Sequence, residues 1–338
     1  MYDYADASVA GKFGHSNYVI NQLKASVPRR SRLMEARKAG KAMDLSAYFD
    51  DSGSETGERD LVFAGLVNRD DAWEHFKVAW RAALAAPPSI GHLKMVEANG
   101  LRGQFAGWTR GVRDQKLEDL AKVLDRFRPT RTFDISISRA EYERYVSPAS
   151  PRGLSTPYFA ITFGAVSAVA RHLASEGVIT PVRFVFDEQN GVDTDVALFF
   201  DHMVENLDPV SRGLIKMPIG YGDDMRNLPL QAADMLAWHI RRQREGNKDA
   251  TITRRAEYIR SDTHIEARVP TEMLVSWGAA FSQVLPILQA LKKKGEWQRF
   301  QMVAEQAKRN GYKPPRGGDA VDALANIRGV WDQFRGES

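Results

Sequence analysis

The amino-acid sequence predicts an α/β protein: a layered domain over residues 44–246 with additions at both ends. Two strand-like runs, 46–50 and 59–69, open this region, and the polar, glycine-containing stretch between them favours a hairpin. Helical patterns then alternate along the chain with short β-branched and aromatic runs. That alternation is typical of a sheet with helices packed against it.

The composition is that of an ordinary soluble globular protein. The 338 residues are 43% apolar and 27% charged, and no apolar run approaches the roughly 20 residues that span a bilayer, so no membrane partner is expected. The chain has no cysteine, which excludes disulfides, thiol nucleophiles and thiolate zinc sites. Its first residues lack the layout of a secretion signal, so the expected location is cytoplasmic.

Positive charge is unevenly distributed along the chain, although the net charge is only +4. Clusters of Lys and Arg occur at 28–32, 241–244, 253–255 and 292–294. Each cluster can hold a phosphate backbone, or it can be the solvated face of a helix. The charge therefore permits a nucleic-acid partner, DNA or RNA, without requiring one.

The first elements in chain order are an arm, the hairpin and two helices. Residues 1–43 are rich in Lys and Arg and predict a basic arm. After the hairpin, residues 70–86 carry large apolar side chains at helical spacing and end at Pro87 and Pro88, which cannot continue a helix. A second amphipathic pattern covers 114–127.

The middle of the chain continues the alternation. Residues 132–138 alternate apolar and polar side chains, the pattern of a strand with one wet face, so Asp134 is expected to face solvent. Residues 155–177 are apolar nearly all round and predict a central buried helix. The acids of GYGDD, 220–224, are interpreted as part of a turn. The other expected elements are strands at 182–191 and 213–222 and helices at 193–207, 228–246, 270–294, 296–310 and 319–335.

Adjacent carboxylates follow two of the predicted strands. The stretch SAYFDDSG runs through an apolar strand into Asp50 and Asp51 and breaks at Ser52 and a glycine. The stretch VRFVFDEQN repeats this pattern with Asp187 and Glu188. Because α/β sheets bind ligands at strand ends, the two pairs are candidates for one site, and a solvated turn is the alternative for each.

A third carboxylate lies on the predicted helix 228–246. Its place beside the apolar stripe of this helix puts Asp234 at the edge of the buried face. A carboxylate there needs a partner, either a cation shared with Asp50 and Asp187 or a salt bridge to an arginine such as Arg241.

Taken together, YFDDSG, FVFDEQ and LPLQAADMLAW resemble the bacterial domain-of-unknown-function family 3800 over about residues 44–246. Members of that family have ribonuclease H-like folds, with an acidic motif on the first strand and a Gln-x-Ala-Asp helix near the end. The resemblance implies a ribonuclease H-like mixed sheet flanked by helices, followed by a mainly helical extension over 247–338. It also implies an active site in which Asp50, Asp187 and Asp234 hold divalent metal.

The family usually carries a further polar or acidic cluster between its motifs, and the matching region here is GHLKMVEA, 91–98. His92 stands where an acid is expected, which departs from the family pattern. Glu97 is the preferred fourth catalytic carboxylate. His92 could instead shuttle protons, and Lys94 could hold a phosphate.

Carboxylate oxygens without cysteine suit Mg²⁺ or Mn²⁺ rather than zinc. Two such ions can activate a water and stabilise the leaving oxygen in phosphodiester hydrolysis. In this hypothesis Asp50 bridges the ions, and Gln231 or Lys94 positions the substrate. The residues expected to support the ligands are Asp51, Ser52 and Glu188.

Three classes of function remain open from the sequence. The residue types and the family resemblance favour a metal-dependent nuclease. A nucleic-acid-binding module without catalysis is the first alternative, because His92 departs from the family pattern. An assembly component that makes contacts through the C-terminal extension is the second.

Overall fold

The structure is a computed structural model that describes residues 44–52, 60–150, 155–187, 207–247, 249–279 and 281–282, together with residues 200 and 204. Several predicted features lie outside the described residues: the basic arm 1–43, Glu188, the basic cluster 292–294, the helices at 296–310 and 319–335, and most of the helix at 193–207.

A mixed six-stranded sheet forms the centre of the fold, with strand order β5-β4-β1-β2-β3-β6. Strand β1 is antiparallel to β2 and parallel to β4, β2 is antiparallel to β3, and the outer strands β5 and β6 are parallel to β4 and β3. The strands are β1 Leu45–Ser52, β2 Leu61–Arg69, β3 Arg131–Ile137, β4 Val182–Asp187, β5 Ile215–Gly222 and β6 His264–Arg268. The predicted hairpin is confirmed as the antiparallel pair β1 and β2.

The described part of the chain contains eight α-helices with defined ends, and none of the described helices is long and apolar enough to cross a membrane. They are α1 Asp70–Ala85, α2 Met95–Gly100, α3 Arg110–Arg126, α4 Arg139–Tyr145, α5 Pro157–Ser175, α6 Pro209–Gly213, α7 Leu228–Arg244 and α8 Ala250–Ile259. Short 3₁₀ helices cover Gly103–Phe105 and Ser147–Ala149, and residues 271–279 are also helical. The helices expected at 70–86, 155–177 and 228–246 are thereby confirmed as α1, α5 and α7.

Each face of the sheet is covered by its own hydrophobic core. On one face α5, the predicted central buried helix, packs against alternate residues of β1 such as Ala47 and Phe49. On the other face α7 and α1 pack against Tyr48 and the β2 residues that face the same way. Because side chains alternate along a strand, Asp50 falls on the face covered by α7.

The expectation that β3 has one wet face is wrong. Every residue of β3 is buried, and the Asp134 side chain is paired with Arg244 and with His264, whose Nε2 lies 3.1 Å from Asp134 Oδ2. The alternation of polar and apolar residues is real, but the polar face is covered because Arg244 at the end of α7 reaches over it. A buried carboxylate of this kind requires such partners.

The limits 44–246 expected for the main domain are too short at the C-terminal end. Strand β6 joins the sheet beside β3, and Ile265, Leu274 and Trp277 are buried in the core on the α5 side. The helical residue Gly278 lies so close to α4 that a Cβ added there would sit 1.8 Å from the Tyr145 carbonyl oxygen. Part of the predicted C-terminal extension is therefore built into the same sheet and core.

Candidate metal centre

The candidate site lies where three parallel strands end side by side. In the register of β1 and β4, Phe49 is opposite Phe186 in the last pair between the two strands, so the next residues, Asp50 and Asp187, lie at the same end of both strands. One carboxylate oxygen from each of Asp50, Asp187 and Asp224 lies within 4.8 Å of the other two. Asp50 and Asp224 are only 6% and 5% exposed. Three carboxylates this close and this buried could hold a metal ion.

Asp224 is the functional residue that the sequence interpretation missed. It follows β5, the third parallel strand, and its backbone N–H donates to the Asp187 carboxylate. The sequence does contain a signal for Asp224, because β5 also runs into two adjacent acids, Asp223 and Asp224. The strand expected at 213–222 is confirmed as β5, but interpreting GYGDD as a turn overlooks that this strand runs directly into two acids.

Asp234 lies beside the three carboxylates rather than among them. Its Oδ2 accepts a hydrogen bond of 2.7 Å from the backbone N–H of Met95, at the start of α2. The charge of Asp234 raises the pKa of Asp50 more strongly than the charge of Asp187 does, although burial has the largest effect. The alternative salt bridge is not formed, since Arg241 instead donates to Ser52 Oγ and pairs with Glu245.

Burial, together with the charges of neighbouring acids, raises the pKa values of Asp50, Asp187 and Asp234. Burial, followed by the charges of Asp234 and Asp187, holds the pKa of Asp50 well above its usual range. Burial and the charge of Asp224 raise the pKa of Asp187 to about 6. Burial likewise raises the pKa of Asp234 to about 7, against the lowering effect of the Met95 N–H. Near neutral pH the cluster therefore favours either protons or a cation.

Lys94 supplies a positive charge inside the cluster. Its Nζ lies 3.1 Å from Asp224 Oδ2, and its charge lowers the pKa of both Asp187 and Asp234. Burial lowers the pKa of Lys94, but the hydrogen bond and charge of Asp224 outweigh burial and raise it overall. Lys94 thus lies at the site, as predicted, with a carboxylate as its partner.

Gln231 lies beneath the site, which corrects the expectation that it contacts substrate. The side chain is 0% exposed, and hydrogen bonds inside the protein occupy both ends of its amide. Its Oε1 accepts from Trp80 Nε1 and from the backbone N–H of Leu93, and its Nε2 donates to the carbonyl oxygen of Asp224. Gln231 therefore supports the site from within the core.

Glu97 is not positioned as the fourth ligand. Its carboxylate lies against the backbone of Gly103, where an added Cβ would be 2.3 Å from Glu97 Oε2, and it accepts a long hydrogen bond of 3.4 Å from the Gln104 N–H. The expectation fails because Glu97 turns toward the 3₁₀ helix that follows α2. The third carboxylate near Asp50 comes instead from Asp224.

The remaining predicted residues lie around this centre. His92 Nδ1 is 3.0 Å from Gln104 Nε2, which also donates to the His92 carbonyl. Ser52 is buried and accepts from Arg241, which ties the end of β1 to α7. The backbone N–H of Asp51 donates to Asp50 Oδ1 at 2.6 Å, and the charge of Asp51 helps raise the pKa of Asp187. The remaining residue, Glu188, lies outside the described part of the chain.

No family model, curated protein or solved structure matches the chain. The resemblance to family 3800 therefore stays a prediction.

Proposed function

We propose that the protein is a divalent-metal-dependent nuclease with a ribonuclease H-like catalytic domain. The observation that carries the proposal is the convergence of Asp50, Asp187 and Asp224 within 4.8 Å at one sheet edge. The central position of β1, between antiparallel β2 and parallel β4, supports the choice of fold. The motifs SAYFDDSG and LPLQAADMLAW support the same choice from the sequence.

The donor set fits Mg²⁺ or Mn²⁺. The ligands on offer are carboxylate oxygens, the chain has no cysteine, and the raised pKa values of Asp187 and Asp234 mark uncompensated negative charge. Asp50, Asp187 and Asp224 would hold a divalent ion, and Asp234 would be available as a further carboxylate beside them. Bound divalent ions supply a water of lowered pKa and neutralise charge that develops on the phosphate oxygens.

The residues of the chain hold this centre in place and exclude water from one side of it. Burial of Asp50 and Asp224 keeps their carboxylates in a poorly solvated setting, where they bind a cation more strongly than they would in water. The Asp51 N–H fixes one oxygen of Asp50, and the Met95 N–H fixes one oxygen of Asp234. Such fixed ligand oxygens lower the reorganisation that cation binding and phosphate displacement require.

A nucleic-acid substrate is proposed from the chemistry of the centre and from its rim. Arg226, two residues beyond Asp224, has a side chain that is 91% exposed and only a loose pair with Asp223 at 3.7 Å. The cluster 241–244 contributes less, because its arginines are engaged with carboxylates of the protein. We expect nucleic-acid affinity to fall steeply with salt, because phosphate contacts release counterions.

The test compares wild type, Asp50→Asn and Asp224→Asn on single- and double-stranded DNA and RNA, with Mg²⁺, with Mn²⁺ and with a chelator. Asn keeps the size of Asp but removes the charge that a cation needs, so both variants should lose metal-dependent cleavage. Asp262→Asn is the matched control, because its side chain is 89% exposed, and it should cleave as wild type does.

Two outcomes would contradict the proposed nuclease activity. One is a wild type that cleaves none of the four substrates with either metal, and the other is an Asp50→Asn variant that cleaves as well as wild type. Salt-sensitive nucleic-acid binding without cleavage would instead identify a binding module.

A further inference from the structure

Gln231 connects two chain segments that form opposite sides of the candidate metal centre. One segment, 91–95, links α1 to α2, and the other, 223–227, links β5 to α7. The Oε1 atom accepts a hydrogen bond of 3.2 Å from the Leu93 N–H. The Nε2 atom donates hydrogen bonds of 2.9 Å to the Asp224 carbonyl oxygen and of 3.5 Å to the Met225 carbonyl oxygen. A single buried amide thus bonds to both segments.

The residues that follow Leu93 in the sequence contact two of the acidic side chains at the centre. Lys94, which follows Leu93, pairs with the side chain of Asp224. Met95, the next residue, donates its N–H to Asp234. A displacement of segment 91–95 relative to segment 223–227 would therefore move both a carboxylate and its positive partner.

Among side chains of this size, only an amide or a protonated carboxylic acid offers a donor and an acceptor together. Glutamate keeps two acceptor oxygens but, when ionised, has no donor for the Asp224 carbonyl. Methionine fills a similar volume but leaves the Leu93 N–H and the Asp224 carbonyl without partners. A donor and an acceptor together are therefore required at this position.

We propose that Gln231 is a positioning residue that sets the divalent-cation affinity of the centre by fixing the Asp224 backbone against segment 91–95. The proposal rests on the proposed function, in that it assumes a cation bound by Asp50, Asp187 and Asp224. Gln231 acts through Asp224 and touches neither cation nor substrate, since its side chain is 0% exposed. Partners that orient metal ligands typically change metal affinity by about 10–100-fold when they are removed.

Gln231→Glu, Gln231→Met and the control Trp80→Phe test the proposal. Trp80→Phe removes the remaining bond to Gln231 Oε1 and disturbs the same core, but it leaves the bonds to Leu93 and Asp224 in place. Binding of Mn²⁺ and of Ca²⁺ to the full chain is measured by calorimetry, and thermal unfolding is followed in a chelator. Amide hydrogen exchange of 91–95 is compared in the same samples without metal.

Gln231→Met should bind Mn²⁺ and Ca²⁺ at least about tenfold more weakly than wild type, and this result is diagnostic because methionine fills a similar volume and adds no charge. Gln231→Glu, which burial beside the clustered acids keeps protonated, retains a donor and an acceptor and should bind more tightly than Gln231→Met. Trp80→Phe should unfold at a lower temperature than wild type and bind within about twofold of wild type, since its effect is on packing.

The amide hydrogen exchange measurement distinguishes a failure of this proposal from a failure of the proposed function. The backbone amide hydrogens of residues 91–95 should exchange faster in Gln231→Met than in Trp80→Phe, because the Leu93 and Met95 N–H groups are no longer held in place. A wild type that binds neither ion contradicts the metal centre itself, and the exchange comparison then still decides whether Gln231 holds the two segments. Cation affinity equal to wild type in Gln231→Met, or equal exchange in Gln231→Met and Trp80→Phe, would overturn the positioning role.

Discussion

At the scale of single residues, the site is a balance between acids and one nearby ammonium. Asp50, Asp187 and Asp224 meet within 4.8 Å, Asp234 lies next to Asp50, and Lys94 provides the positive charge at Asp224. Burial makes each uncompensated charge costly because the protein interior screens it poorly. Ionisation of Asp187 and Asp234 in the metal-free centre therefore costs stability near and above neutral pH, and a bound cation would relieve this cost.

Removing the Lys94 charge should strengthen cation binding. Lys94→Met keeps the apolar stem but removes the ammonium that competes for Asp224 Oδ2 at 3.1 Å. At about pH 8, above the pKa values of Asp187 and Asp234, we expect a lower Kd for Ca²⁺ by calorimetry. At lower pH the gain in Ca²⁺ affinity of Lys94→Met over wild type should shrink, because the pKa values of Asp187 and Asp234 rise when the Lys94 charge is lost. Weaker binding at both pH values would show that Lys94 orients Asp224 instead of competing with the cation.

Removing the Asp234 charge should stabilise the metal-free protein, most strongly at high pH. Its folded pKa of about 7 exceeds the usual 3.8, so ionising Asp234 in the folded state costs stability above about pH 7 and costs progressively less as the pH falls toward 4. Asp234→Asn retains an oxygen for the Met95 N–H. Its Tm in a chelator should exceed that of wild type at about pH 8 by at least about 2 °C, the shift that about 1 kcal/mol produces in a domain of this size, and should approach wild type at about pH 5. A Tm gain that grows as the pH falls would contradict the shifted pKa.

How far the sequence predicts the site depends on which residues sit on regular elements. Asp50 and Asp187 could be predicted because an apolar strand that ends in a carboxylate is legible in one sequence. Asp224 carries the same signal, and the strand before it is predicted at 213–222, but the acids after Gly222 are interpreted only as part of a turn. Glu97 could not be placed, because the direction of its side chain depends on a left-handed residue, Leu101, that turns the chain after α2.

At the scale of elements, the hairpin and helix α1 depend on close contacts that the sequence pattern does not reveal. Gly65 lies opposite Phe49 in the register of β1 and β2, and the Phe49 ring covers it so closely that an added Cβ would be 2.1 Å from the ring. At the end of α1, the nearly buried Lys116 of α3 donates to three carbonyl oxygens. Periodicity predicts both elements, but contacts between elements fix their positions.

Loss of the Lys116 charge should destabilise the fold without affecting the site chemistry. Its Nζ lies 2.7, 3.2 and 2.7 Å from the carbonyl oxygens of Ala83, Leu84 and Ala86, which carry the partial negative charge of the α1 C-terminus. Lys116→Met leaves these oxygens with fewer partners, so the free energy of unfolding should fall by about 2 kcal/mol. Chemical denaturation measures the change, and Lys122→Met, an exposed lysine on the same helix, is the control. Equal stability of the two variants would show that the buried ammonium contributes nothing.

The wrong expectation for β3 has the same cause, since contacts between distant elements are not visible in the local sequence pattern. A polar residue at every second position indicates a face that is not apolar, but it does not say whether water or another side chain covers that face. Here Arg244 and His264 cover Asp134, and both come from parts of the chain more than 100 residues away, with sequence separations of 110 and 130. Long-range pairing of this kind cannot be inferred from local pattern.

At the scale of the whole molecule, the sheet extends beyond the limits that the motifs suggest. The family motifs end with α7, and the sequence after it is dominated by helical patterns, which favours a boundary at 246. The five-residue strand β6 is short and carries charged residues, so it is easily missed. Its pairing with β3 covers what would otherwise be an exposed sheet edge.

A chain that ends at residue 246 should therefore fail to fold as the full chain does. Truncation removes β6 from the edge of β3 and takes Ile265, Leu274 and Trp277 out of the core on the α5 side. Each large apolar side chain contributes about 1.5–3 kcal/mol when buried, so these three together are comparable to the whole stability of many domains. The exposed β3 edge would also promote aggregation. Expression of residues 1–246 beside the full chain, followed by size-exclusion chromatography and thermal unfolding, checks this. The expected result is an aggregated or non-cooperatively unfolding product. A monodisperse 1–246 protein with the Tm of the full chain would show that the region up to α7 is an independent domain and that β6 and the helical residues 271–279 only pack against it.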